Sequence, residues 1–275
     1  MKLLDIDREA FAAGFGRAAF PLQHRLAGDS LFSLERLVAL SRALPADKVE
    51  YNAGDLPISV DPATTPRNGL SPEETIRRIR ECRSWLVLKN VERDPAYRAL
   101  LERCLAEVSD LRGTPAMSQK HGFIFVSSPD AVTPYHMDPE ENFLLQIEGR
   151  KTMHVFDPSD RAVLSEQEIE RFFSGAHRNL VFRDEYRPRA QAFELSPGSA
   201  VHVPMAAPHW VKNGPQVSIS FSITFQTAAS MRRQLAHRMN ARLRRLGVEP
   251  RPIGESPLRD GLKQLCYRAL RAAAA

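Results

Sequence analysis

Apolar positions recur along this chain at two different periods, and the changes of period divide it into three stretches. Over the first 110 or so residues the dominant spacing is three to four, one face of a helix. Ser71-Pro72-Glu73-Glu74 predicts one helix start: Ser71 can accept from the open amide of Glu74, Glu74 can reach back, and Pro72 sits where no donor is needed. Ile76, Ile79 and Cys82 follow as its apolar stripe. A short apolar strand is expected at 85–91. Asp94-Pro95 then opens a second helix, with Leu100, Leu101, Cys104, Leu105 and Val108 at helical spacing and Gly113-Thr114-Pro115 ending it.

From about Met117 to Thr227 the pattern becomes short runs rich in Phe, Val, Ile and Thr, separated by Pro, Gly, Asp and Asn, an all-β signature. Strands are expected at 122–127, 134–138, 143–147, 151–156, 191–195, 200–203 and 217–226, with a short helix inserted at 169–173 behind the cap Ser165-Glu166-Gln167-Glu168. Past Thr227 the helical period returns. Met231, Leu235, Met239, Leu243 and Leu246 form one apolar stripe among arginines. The three stretches give a helical and extended N-terminal region (1–115) packing on a barrel, a β domain (116–227) and a C-terminal helical extension (228–275).

Composition bounds the class without naming it. With 275 residues, 43% hydrophobic and 26% charged, the chain can bury one substantial core. The opening MKLLDIDREAFAAGFG carries acids where a secretory leader needs an apolar run, and no stretch is long enough to span a bilayer. A cytoplasmic location is expected. Cys82, Cys104 and Cys266 are scattered and lack CxxC spacing, so neither a disulfide framework nor a zinc site is expected. The formal charge of +5 is concentrated towards the C-terminus. Clustered arginines can neutralise phosphates, but the regular apolar stripe beside them favours packing on the domain or on a second subunit. Nucleic acid is therefore not an expected partner, and a homodimer is.

The candidate chemistry lies in His136-Met137-Asp138. On a strand, residues two apart share a face, so both side chains could reach one metal. Two histidines and a carboxylate on one face of an octahedron leave three positions open, the arrangement of a non-haem Fe(II) that must also hold a cosubstrate and O2. In a chain with eight histidines and about one residue in eight acidic, roughly one His-x-Asp/Glu arises by chance. The pair needs its context.

That context is the run from Thr133 to Lys151, TPYHMDPEENFLLQIEGRK. It resembles, nearly position by position, the metal-binding strand pair of the JmjC and cupin-like 2-oxoglutarate oxygenases, most of all the asparaginyl hydroxylases of hypoxia-inducible factor. A second block, Gly198 to Trp210 (GSAVHVPMAAPHW), is similar to the strand that ends in the family's distal histidine. The likeness covers about residues 120 to 225. It implies a mainly β fold, a double-stranded β-helix or jelly roll with helical extensions at both ends. It also implies His136, Asp138 and His209 as iron ligands and Lys151 as the cation for the far carboxylate of 2-oxoglutarate, with Thr133 and Asn142 hydrogen-bonding that cosubstrate. Where the hypoxia-type enzymes have an asparagine on the last strand, this chain has Ser222. His202 competes with His209 for the third ligand position. Pro204 and Pro208 interrupt the ladder between them, so alternation alone does not choose; the family spacing chooses His209.

The resemblance implies a dioxygenase using Fe(II), O2 and 2-oxoglutarate, hydroxylating a protein side chain or a small molecule and releasing succinate and CO2. The alternative is a metal-binding cupin that does not use 2-oxoglutarate, an isomerase or a ligand-sensing regulator. Phe125 and Trp210 are expected in the core, and His24, His121, His154 and His177 are expected to be structural or exposed. The substrate is not legible in one sequence, because specificity resides in loops such as 157–190.

Overall fold

Two antiparallel sheets form the protein, described here from a computed structural model over residues 1–61, 66, 68–112 and 116–273. The N-terminal region supplies β1 (Leu4–Asp5), α1 (Arg8–Gly14), β2 (Phe20–His24), α2 (Leu34–Ala43), β3 (Val49–Ala53), α3 (Pro72–Arg77), β4 (Ser84–Lys89) and α4 (Pro95–Arg112). The middle supplies β5 (Met117–Ser127), β6 (Val132–His136), β7 (Glu141–Glu148), β8 (Lys151–Val155), α5 (Glu166–Phe173), β9 (Gln191–Leu195), β10 (Ser199–Val203), β11 (His209–Asn213) and β12 (Ser218–Thr227). Helices α6 (Ala228–Arg245) and α7 (Pro257–Ala272) follow.

The larger sheet runs β1-β2-β10-β7-β12-β5-β4-β3 and the smaller β6-β11-β8-β9. Leu144, Val201 and Val203 of the first pack against Met153, Val155, Phe193, Leu195 and Val211 of the second, closing a jelly roll. All ten residues of β12 are buried, as befits a strand with neighbours on both edges and cover on both faces. A second core, on the other face of the larger sheet, takes the apolar residues of α2 and α4.

Local chemistry sets the elements as expected in several places. Ser71 Oγ accepts from the Glu74 amide (3.1 Å), while the Glu74 carboxylate faces Arg78 (3.9 Å) rather than reaching back to Ser71; Ile76 in α3 and Ile79 just past it are buried. Ser165 and Glu168 form the reciprocal capping box of α5. In α4 the five apolar residues of the stripe are all buried, while its predicted stop at 113–115 lies outside the described residues. The β7–β8 turn requires Gly149: its φ is +71°, and a Cβ there would sit 2.0 Å from the Val217 carbonyl oxygen.

Two expectations need correction. The N-terminal region, expected to be mostly helical with one strand at 85–91, contributes that strand as β4 beside β5 and three more to the larger sheet, β2 beside β10, β1 beside β2 and β3 beside β4. The short β2 carries Pro21, a residue that reads against a strand interior; it is tolerated because only the two-residue β1 lies beyond it, near the sheet edge. Second, of the two covers expected for the apolar stripe of α6, its own domain or a second subunit, the domain supplies only part. Ser230, Gln234, Ala236, His237 and Asn240 face inward, while Met231, Leu235, Met239 and Leu243 are only half-buried and Leu246 is 78% exposed. Helix α6 lies over polar backbone as well as core, with His237 stacked on Phe173 at 5.7 Å. Gln234 Nε2 donates to the Pro139 carbonyl (2.9 Å), Arg238 Nε to that of Phe173 (2.8 Å), and Arg244 pairs with the buried Glu170 (2.6 Å).

Candidate active site

Strand β6 ends on His136 and β11 begins on His209, and the antiparallel register places these two residues directly opposite each other. Their rings lie 4.1 Å apart, centroid to centroid. Each is oriented by its own chain. His136 Nδ1 donates to the Pro134 carbonyl (2.7 Å) and His209 Nδ1 to that of Ala207 (3.0 Å). A carbonyl can only accept, so in the neutral ring the proton sits on Nδ1 and the Nε2 lone pair is left free. Both Nε2 atoms face one oxygen, Asp138 Oδ2, at 3.7 and 3.6 Å.

The electrostatics set the charge state of the three groups. Burial, helped by His209, pushes the His136 imidazole down to about 3, and burial also lowers His209, so both rings are neutral at pH 7. Burial opposes the Asp138 carboxylate, yet His136, Arg178 and His209 outweigh it and hold the group at about 2. Two neutral nitrogens and one anionic oxygen, all within 4.8 Å of one another, form the donor set expected of a non-haem metal centre. Asp138 lies past the end of β6, so the pleat alone does not aim it; its carbonyl accepts from Ala206 (2.8 Å) and its Oδ1 from Arg178 Nη1 (3.1 Å).

These residues sit in a cavity of about 690 Å³ whose wall also includes Thr133, Asn142, Lys151, Met153 and Val211. Lys151 and Met153 on β8 pair with Asn213 and Val211 on β11, which places Lys151 four residues along the smaller sheet from the level of His209. At the strand rise that is about 13 Å, a span that a lysine side chain and a five-carbon diacid can share. Lys151 is buried and has no hydrogen-bond or anionic partner among the described residues. Burial lowers its ammonium to about 7. Ser222 Oγ donates to Asn142 Oδ1 (2.7 Å), which leaves the amide NH2 of Asn142 to the cavity it lines.

All six expected site residues thus line one cavity. His202 does not join them. It is fully buried on the other side of the larger sheet, between Phe20, Phe143 and Phe15, and its Nε2 meets Glu141 Oε2 at 3.1 Å. Trp210 is buried as expected, stacked on His154 at 4.0 Å on the outer face. Phe125, expected in the core, is half-buried and lines the cavity, because alternation along β5 turns it towards the smaller sheet. Arg178 and Asn179 enter from the 157–190 loop, together with the exposed His177; nothing in the spacing of that loop foretold them.

The comparisons with known proteins fit this geometry. The signature of the cupin-like domain matches residues 77–231, more than half of the chain. The chain belongs to the cupin-like domain family. Among curated proteins of this kind, lysine-specific demethylase 8 of Danio rerio is 30% identical over 100 residues, 34% of this chain and 24% of that protein. Human HSPB1-associated protein 1 is 29% identical over 119 residues, 40% of this chain and 24% of that protein. The chain thus matches about a quarter of the length of these curated relatives. Among solved structures, Escherichia coli YcfD superposes with a TM-score of 0.55 at 17% identity, covering 98% of this chain and 68% of that one. A structure described as the ribosomal oxygenase YcfD with cobalt and 2-oxoglutarate gives 0.54 at 15% identity, covering 94% and 62%. At such identities the likeness establishes the cupin-like fold. No helix among the described residues is long and apolar enough to cross a membrane.

Proposed function

We propose that this cupin-like protein is an Fe(II)- and 2-oxoglutarate-dependent dioxygenase that hydroxylates a protein side chain or a small molecule. His136, Asp138 and His209 hold the metal, Lys151 pairs with the far carboxylate of 2-oxoglutarate, and Thr133 and Asn142 hydrogen-bond it. Catalysis is assigned to residues 116–227, flanked by 1–115 and 228–275. The observation that carries the proposal is Lys151, a buried cation without a counter-charge in the same cavity as the His/Asp/His set. A buried ammonium is costly unless an anion joins it, and a dicarboxylate spanning the cavity supplies one. Relatives in this fold described as oxygenases with 2-oxoglutarate or succinate lend further support.

A bound Fe(II) supplies the redox chemistry that couples loss of CO2 from 2-oxoglutarate, giving succinate, to insertion of one atom of O2 into a C–H bond. The protein's own part is orientation and exclusion of water. The Nδ1 bonds fix both imidazoles, Lys151 sets which end of the cosubstrate points away from the ligands, and Phe125, Leu144, Met153 and Val211 keep the intervening wall apolar. The test is an anaerobic Fe(II) titration followed by 2-oxoglutarate, watching for the weak visible charge-transfer band of the chelate. Metal uptake without that band would favour the alternative, a cupin that does not use 2-oxoglutarate.

Glu50, Asn52, Lys89, His177, Arg178 and Asn179 also line the cavity, a polar set suited to a side chain or a small polar molecule. Three free cysteines accord with a reducing, cytoplasmic setting. A homodimer through the C-terminal helices is part of the same proposal. On α7, which packs against α6, Leu258, Leu262 and Leu265 are spaced along one face and are 89%, 62% and 63% exposed. Replacing Leu262 and Leu265 with glutamate is expected to give a monomer that sediments at half the parent mass. A parent protein that is already monomeric at high concentration would refute the dimer.

A further inference from the structure

We infer that Arg178 is a positioning residue for the metal-binding carboxylate, delivered by the loop that also walls the cavity; the inference rests on the metal reading above. Asp138 is the one member of the set that lies beyond a strand end, so its side chain needs a second hold. Its two oxygens have different surroundings. Oδ2 faces both imidazole Nε2 atoms, while Oδ1 accepts from Arg178 Nη1 at 3.1 Å, the only donor to that oxygen among the described residues. With Oδ1 engaged, the carboxylate presents one oxygen to the site and cannot rotate about its last bond without breaking a charge-assisted hydrogen bond.

The guanidinium is in turn held by backbone. The 178–180 segment makes a single antiparallel bridge to the edge of β6. The Met137 amide donates to the Arg178 carbonyl (3.2 Å), the Leu180 amide to the Tyr135 carbonyl (3.0 Å), and His136 and Asn179 form a bridge. Asn179 Nδ2 also donates to the Val60 carbonyl (3.2 Å). The Cα of Arg178 is therefore fixed relative to the residues on either side of His136. The Arg178 side chain is 42% exposed, and an ion pair so open to water adds little to folding. What it fixes is the direction of Asp138.

Outer hydrogen bonds of this kind orient metal ligands, and their loss lowers metal affinity about 10- to 100-fold. Arg178→Met keeps the bulk of the side chain and removes the donor, and Arg178→Lys restores one charged donor. In Co(II) titrations of the whole chain, Arg178→Met should bind about 10- to 100-fold more weakly than the parent and show altered d–d absorption, with Arg178→Lys in between. Melting of the metal-free protein should be unchanged in all three, since the loop is held by backbone bonds. Equal affinity and identical spectra for parent and Arg178→Met would overturn the role of Arg178. So would weaker binding that merely follows a lowered melting temperature and is not rescued by lysine. A parent that binds Co(II) no better than its His209→Ala variant would instead overturn the metal reading itself.

Discussion

Lys151→Ala is expected to weaken 2-oxoglutarate binding by about a hundredfold or more while the protein still takes up metal. Removing one partner of a buried charge pair typically costs about 3–5 kcal/mol, because the other charge is left in a dry site without compensation. Asp138, His136 and His209 lie at the other end of the cavity and lose no contact, so a Co(II) titration should be nearly unchanged. The same residue gives the binding a pH dependence with a definite sign. In the empty cavity burial lowers the ammonium to about 7, so above that pH an increasing share of Lys151 is neutral. A bound carboxylate favours the charged form and raises the group again. Affinity for 2-oxoglutarate should therefore be flat below pH 7 and fall about tenfold per unit above it, with one proton taken up on binding. Calorimetry in buffers of different ionisation enthalpy measures that proton directly. Wild-type affinity in Lys151→Ala, or an affinity indifferent to pH between 7 and 9, would remove Lys151 from the site.

The second large effect separates two histidines of similar sequence context. His209→Ala deletes one of the two free Nε2 lone pairs facing Asp138, and is expected to abolish Fe(II)-dependent conversion of 2-oxoglutarate to succinate together with tight metal binding. His202→Ala should retain both. Its effect should fall on stability, roughly 3 kcal/mol, from the hole left among Phe15, Phe20 and Phe143 and from the buried Glu141 carboxylate that loses its partner. The measurement is metal affinity beside chemical denaturation for each variant. A His202→Ala protein that folds normally and cannot bind metal would show that the third ligand is misassigned.

The barrel was legible in the sequence because its strands are bounded by Pro, Gly and Asp and carry β-branched and aromatic residues: seven of the expected strands correspond to β5 to β10 and β12. Strand β11 was harder to see, since His209-Trp-Val-Lys-Asn follows a Pro-rich bend and mixes polar with apolar residues. The proposed ligand set was suggested by the resemblance of the run from Thr133 to Lys151 and of the block around His209 to the family, and the fold brings those three side chains within 4.8 Å of one another. Arg178 was not. Its place depends on a loop folding back 40 residues later to pair with β6, and no local period encodes that. How far the α6 stripe is covered within its own domain was not legible either. Amphipathicity says that a face wants cover, and the inner side of α6 meets backbone carbonyls, the Glu170 carboxylate and the ring of Phe173, which takes up Gln234, Ala236 and His237 and leaves the apolar stripe half-buried.

The breadth of the larger sheet bears on how such a domain can be shared among relatives. The matched segment begins at residue 77, within α3, so β1, β2 and β3 lie outside it although they are stitched to β10 and β4 inside it. Four register pairs tie β2 to β10, and five tie β3 to β4. A relative that inherits only the shared segment would carry two raw sheet edges, each able to recruit a stray strand from a neighbouring molecule. In this chain β2 and β3 cover those edges, and the strands left outermost are short, two residues in β1 and five in β3, which gives a stray strand little to pair with.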